Sequence, residues 1–203
     1  MNNLPKIAIV FTGGTIAMKI DPATGGAVPA LSGEQVVALV PELAGIAEIS
    51  VHNFGRYPGP HMTPRLMLDL KNYIRAIYDR DHVDGVVITH GTDTLEETAY
   101  FLDLTLNLPV AAVLTGAMNN ASEANWDGPK NLLDSVRVAA DIRFRGAGVL
   151  VCLAGEINAA SEVSKTHTDE IGTFHSFDFG PLAKIENGSI QLIGTPHHRD
   201  VIE

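Results

Sequence analysis

Apolar residues along this chain fall into two rhythms. Short, near-continuous runs rich in β-branched residues stand at 7–11, 46–54, 86–88, 110–114 and 149–153, and each reads as a strand. Longer stretches between them repeat apolar positions every three to four residues, the spacing of one helical face. Ser32 and Gln35 form a capping box ahead of Val36, Val37, Leu39 and Val40. Thr63-Pro64 supplies an N-cap and a first-turn proline, opening a helix whose Met67, Leu70, Ile74 and Ile77 share a face. Two further helices are predicted over 93–106 and 127–142, the second opening on Asp127-Gly128-Pro129.

Strand and helix thus alternate about five times, which predicts an α/β fold: a parallel sheet with helices on both faces, in a Rossmann-like or flavodoxin-like three-layer arrangement. After residue 153 the rhythm is lost. Residues 155–179 are rich in polar and small side chains and read as irregular, whereas Asn187-Gly188 between 182–185 and 190–193 predicts a type I′ hairpin near the C-terminus. Residues 1–193 read as a single domain and 194–203 as a polar tail or the remnant of a linker. In that tail His197 and His198 lack a carboxylate or cysteine at a ligand spacing, so they read as solvated residues rather than metal ligands.

Composition narrows the function classes. At 203 residues with 45% hydrophobic and 19% charged residues, the chain can bury a sizeable core without disulfides or a structural metal. Its 14 basic and 24 acidic residues give a net charge of −10, which repels phosphate backbones and anionic lipid, so neither nucleic acid nor a membrane is an expected partner. The lone cysteine, Cys152, sits in an apolar run and reads as a small buried hydrophobe. No apolar stretch approaches the roughly 18 residues of a membrane span, and Met1 to Lys6 lack the features of a signal peptide, so the expected compartment is the cytoplasm.

In a parallel sheet, ligands bind beyond the carboxyl ends of the strands. There the sequence places Thr12-Gly13-Gly14-Thr15, Thr89-His90-Gly91-Thr92-Asp93-Thr94 and Thr115-Gly116-Ala117. The Gly13-Gly14 turn lacks the spacing of a dinucleotide fingerprint, and no Gly-Lys-Ser or Gly-Lys-Thr follows it, which argues against a phosphate cradle. Taken singly, each threonine reads as a turn or cap, Thr92 as the N-cap of the helix that follows. Taken together, they place several hydroxyls and a carboxylate on one rim, as threonine nucleophilic catalysis requires. That chemistry also needs a base and a group to orient it. A lysine serves where desolvation or a second cation favours its neutral form. Lys165, in Val163-Ser164-Lys165-Thr166, is a candidate, although alone it reads as an exposed surface lysine.

In order along the chain, residues 12–17, residues 89–99, Gly116-Ala117-Met118, Asp127-Gly128-Pro129-x-Asn131-Leu132 and Val163-Ser164-Lys165-Thr166 resemble the successive signatures of the bacterial L-asparaginase family. The resemblance covers nearly the whole chain. It implies an amidohydrolase that converts L-asparagine to L-aspartate and ammonia with no metal or organic cofactor. It implies Thr15 as nucleophile, and Thr92, Asp93 and Lys165 as a second group: Lys165 acts on Thr92, and Asp93 holds Lys165 and the substrate ammonium. Gly14, Gly59, Pro60, His61, Gly91, Thr92, Asp93 and Ala117 would line the substrate, with backbone N–H groups near Thr92 and Ala117 facing the developing oxyanion. A homo-oligomer, dimer or tetramer, is also implied. Phe174, Phe177, Phe179, Leu182 and Ile185 need covering, by a subunit or within the domain.

The resemblance is incomplete at three points. The family's loop tyrosine after the first motif is absent, with Ala27 about where it would stand, and Gly59 takes the place of a serine that binds the substrate α-carboxylate. Arg56, Tyr57 and His61 are the candidates to replace that serine. The family continues into a second α/β domain, and this sequence stops at Glu203, about where the linker would run, as either a short member or a fragment with a more open site. Two alternatives remain at this level: a module that binds aspartate or asparagine with little turnover, and the amidase part of a tRNA-dependent amidotransferase subunit, which the acidic balance disfavours. Preference between asparagine and glutamine turns on one methylene of room, which residue types do not reveal.

Overall fold

The computed structural model describes residues 4–195 and 201–202. In chain order the elements are β1 (Lys6–Gly13), β2 (Met18–Ile20), β3 (Ala27–Pro29), α1 (Gly33–Ala38), β4 (Glu48–Tyr57), α2 (Pro64–Asp81), β5 (Gly85–Thr89), α3 (Leu95–Thr105), β6 (Ala111–Thr115), α4 (Gly128–Ala140), β7 (Val149–Leu153), β8 (Glu156–Ala159), β9 (Val163–Lys165), β10 (Phe174–Ser176), β11 (Ala183–Glu186) and β12 (Ser189–Leu192). The main sheet has the order β12-β11-β8-β7-β6-β5-β1-β4. From β4 to β7 its strands run parallel, in register such as Val10↔His52 and Val10↔Ile88.

Because successive strand residues face opposite sides, β1 feeds two cores. Ile7, Ile9 and Phe11 pack with Val36 of α1 and Leu132, Val136 and Ala139 of α4. Ala8 and Val10 pack with Leu70, Ile74 and Ile77 of α2 and Leu95, Ala99 and Leu102 of α3. The capping box at Ser32 forms as expected, and Thr63 Oγ1 accepts the Leu66 N–H at the start of α2. Cys152 is fully buried in the first of these cores, and burial pushes its thiol up to about 12.

The sheet is mixed rather than wholly parallel. Ala154 and Gly155 take positive φ values of 51° and 78°, reversing the chain immediately after β7, and β8 returns antiparallel with Cys152↔Ile157. This strand lies within the stretch read as irregular. Four residues are too few to show a rhythm, and its polar Asn158 is buried, with Ser176 Oγ donating to Asn158 Oδ1 at 2.9 Å. The predicted hairpin forms with positive φ at Asn187 (51°) and Gly188 (76°), and through β11 it extends the sheet beyond β8. Short strands β9 and β10 make a separate ribbon. His197 and His198 lie outside the described residues. Among the described residues no helix is long and apolar enough to cross a membrane.

Candidate active site

The strand-end loops meet through their glycines. A β-carbon on Gly14, whose φ is 84°, would lie 2.6 Å from the Gly91 nitrogen, and one on Gly91 would lie 2.6 Å from the Gly59 α-carbon. Backbone therefore packs on backbone where the loops after β1, β4 and β5 converge, a contact that side chains would prevent. Gly116 adds the loop after β6, since its β-carbon would come within 2.6 Å of the His90 oxygen and 3.3 Å of Thr92 Cγ2. Thr94 Oγ1 donates to the Gly59 carbonyl at 2.7 Å, tying two of these loops together. The four loops form one rim.

Thr15 stands on this rim directly after Gly14, at the first position of a 3₁₀ turn that buries Ile16 and Ala17. Its side chain is half-buried, and its hydroxyl has no hydrogen-bond partner among the described residues. The chain then enters the β2–β3 hairpin, whose base is held by Ala121 N–H on the Met18 carbonyl (2.9 Å) and Ile20 N–H on Ser122 Oγ (3.0 Å). Ala27 lies exposed on β3.

Thr92 is not the helix cap it resembles. Helix α3 begins later, at Leu95, and the Thr92 hydroxyl instead accepts a hydrogen bond of 3.0 Å from Lys165 Nζ. The same ammonium donates to Asp93 Oδ1 at 3.0 Å. Lys165 is only 15% exposed in its side chain, so it is no surface lysine, while the Asp93 side chain is 58% exposed. Since Thr92 Oγ1 accepts from Lys165, its own hydrogen is free to donate elsewhere. Asp93 has carboxylate surface facing solvent for a cation. The β9–β10 ribbon delivers Lys165, and the Glu96 carboxylate on the first turn of α3 accepts the Lys165 backbone N–H.

Other predicted residues divide. Thr12 and Thr115 are fully buried and donate to the carbonyls of Thr89 and Cys152, both at 2.8 Å, so they tie neighbouring strands instead of lining the rim. Thr89 is buried as well. Gly59, Pro60 and His61 form a 3₁₀ turn beside Asp93, with His61 and Pro60 exposed, and Arg56 is also exposed. The Tyr57 ring folds back over Gly55 and tilts against Phe54 with centroids 6.0 Å apart. His90 is buried with its ring between Gly91 O (2.8 Å) and Thr98 Oγ1 (3.0 Å), and burial holds its pKa below the usual value.

Sequence reasoning did not single out Glu96 or assign work to Asp127 and Asn131. Asp127 stands at the N-cap of α4 but its side chain caps no backbone N–H of that helix; its carboxylate accepts the N–H groups of Met118 (3.1 Å) and Asn119 (2.9 Å) and so shapes the loop after β6. Asn131 is almost fully buried, donating to Gly116 O (3.1 Å) and Asp127 Oδ2 (2.9 Å) and accepting the Ala154 N–H (3.0 Å). Polar residues inside an amphipathic helix were the available signal. Among the described residues no three His, Cys, Asp or Glu side chains converge as a metal-binding group.

A family model described as asparaginase, N-terminal, matches residues 6–198. The chain belongs to the asparaginase family. It is 41% identical over 202 residues to a probable periplasmic L-asparaginase of Haemophilus influenzae, covering 98% of this chain and 57% of that protein. It is also 41% identical over 195 residues to L-asparaginase 2 of Escherichia coli, covering 95% and 56%. The crystal structure of a probable cytoplasmic L-asparaginase from Campylobacter jejuni superposes with a TM-score of 0.86 at 36% identity, covering 94% of this chain and 57% of that one. This asparaginase-family chain spans a little over half the length of these relatives.

Proposed function

We propose that this chain carries the catalytic unit of an L-asparaginase, with residues 1–193 as that unit. The observation that carries the reading is the Lys165 ammonium bonded to both Thr92 and Asp93, on the rim where Gly14, next to Thr15, packs against Gly91. Thr15 Oγ attacks the side-chain amide carbon and gives up its proton, the amide nitrogen takes up a proton and leaves as ammonia when the carbon–nitrogen bond breaks, and water cleaves the resulting ester to give aspartate and restore the Thr15 hydroxyl. Thr92 and Lys165 move the proton between the attacking oxygen and the leaving nitrogen. Asp93 binds the substrate ammonium through its exposed oxygen, and the Thr92 and Ala117 N–H groups take the oxyanion. Gly14, Gly59, Pro60, His61 and Gly91 complete the wall. Arg56 and His61, both exposed, remain the candidates to bind the α-carboxylate, and the engagement of the Tyr57 ring with Phe54 disfavours Tyr57.

The assembly is proposed to be a cytoplasmic homo-oligomer. Phe177 remains 74% exposed, the kind of apolar surface that a neighbouring copy covers. One relative is named cytoplasmic and another periplasmic, so cell fractionation is the check on compartment. The test of activity is ammonia release with L-asparagine and L-glutamine side by side. Release from asparagine should fall by orders of magnitude in both Thr15→Ala and Thr92→Ala; persistence in both would overturn the assignment of nucleophile and partner. Aspartate binding in calorimetry without any release of ammonia would favour a binding module.

A further inference from the structure

The geometry points to His90 and Asn131 as positioning residues that aim the Thr92 and Ala117 N–H groups into the site, an inference that rests on the asparaginase reading. Each acts on the carbonyl one residue earlier. His90 Nδ1 lies 2.8 Å from the Gly91 oxygen, and a carbonyl only accepts, so Nδ1 carries the hydrogen. The bare Nε2 then accepts from Thr98 Oγ1 at 3.0 Å, which fixes the ring from α3. On the neighbouring loop, Asn131 Nδ2 donates to the Gly116 oxygen at 3.1 Å, with its other contacts to Asp127 Oδ2 and Ala154 N–H fixing the amide from α4.

Among the described residues every peptide bond is trans, so C=O and N–H point in opposite directions across each peptide plane. With the Gly91 carbonyl held toward a ring that is 1% exposed, the Thr92 N–H turns away from the core. With the Gly116 carbonyl held toward an equally buried asparagine, the Ala117 N–H does the same. Neither N–H has a hydrogen-bond partner among the described residues, although Thr92 and Ala117 are both buried. N–H groups without partners on buried residues are rare, and the two loops that carry these meet closely, a β-carbon on Gly116 coming within 3.3 Å of Thr92 Cγ2. Two side chains on opposite faces of the sheet thus preorganise a pair of donors for one oxygen. Neither touches substrate.

Two variants at each position test this. His90→Phe removes both ring bonds and His90→Gln keeps a donor; Asn131→Ala removes the amide, and Asn131→Asp keeps an acceptor for Ala154 but presents an oxygen to Gly116. In His90→Phe, Asn131→Ala and Asn131→Asp, kcat for asparagine should fall by about 100-fold or more while KM changes far less, the signature of a lost oxyanion donor. His90→Gln should recover part of the loss. Affinity for aspartate β-semialdehyde, which forms a tetrahedral adduct with a threonine, should weaken more than affinity for aspartate. Crystal structures of the same variants should show the 91–92 or 116–117 peptide rotated. Folded variants with near-normal kcat, or with both peptides unrotated, would overturn the proposal. Absence of ammonia release from the parent chain would instead overturn the asparaginase reading, and the crystal structures alone would then decide this one.

Discussion

Gly91 has no room for a side chain, because a β-carbon there would sit 2.6 Å from both the α-carbon and the nitrogen of Gly59. We expect Gly91→Ala to destabilise the chain by about 1–3 kcal/mol through forced backbone movement, and to abolish ammonia release. Gly45→Ala, with open space around the new methyl, should change stability by less than about 0.5 kcal/mol in the same urea titration. His90 leads to a pH prediction. Burial lowers its folded pKa below the ordinary 6.5, so on acidification the unfolded chain takes up a proton that the folded one refuses. Its contribution to stability is complete above that value and is lost as pH falls toward the folded pKa. His52, partly buried, pulls the same way. The urea midpoint should therefore be lower at pH 5 than at pH 7.5, and the difference should shrink in His90→Gln; identical pH profiles would remove His90 as its source. Little of this was legible from residue types. Thr92 and Lys165 each have a commonplace local reading, and it takes the bond between them to rule out a helix cap and a surface charge.

Helix starts are local, so they could be read directly. The Ser32–Gln35 box and the Thr63 cap need only contacts within one turn, and both form. Ser32→Ala and Thr63→Ala should each cost about 1 kcal/mol in thermal or urea unfolding, with turnover little changed. The start of α4 differs, because Asp127 spends its carboxylate on Met118 and Asn119, residues of the loop after β6. Strand β8 was missed for a related reason: its buried Asn158 is satisfied by Ser176, eighteen positions away in sequence. A polar residue looks like loop until its distant partner is known.

Across the whole molecule, the feature to test is the uncovered apolar surface of the segment after β10. Phe174 and Leu182 are buried within the domain, while Phe177 and Phe179 are exposed by 74% and 60%. Light scattering coupled to size exclusion should report a dimer or larger assembly for the 21.7 kDa chain, and Phe177→Ser should weaken it. A monomer at micromolar concentration would count against an oligomer. By itself the sequence determined the class of fold, the order of its five parallel-region strands and four helices, the C-terminal hairpin, and the two threonine-bearing loops. These follow from periodicity and capping, which act over a few residues. Only the tertiary structure decided that three antiparallel strands extend the sheet, that Thr12 and Thr115 serve the core, and how Lys165, joined to Thr92 in the sequence by the resemblance alone, reaches it across seventy-three positions. Such contacts depend on how loops pack once the strands are paired, and no local pattern encodes them.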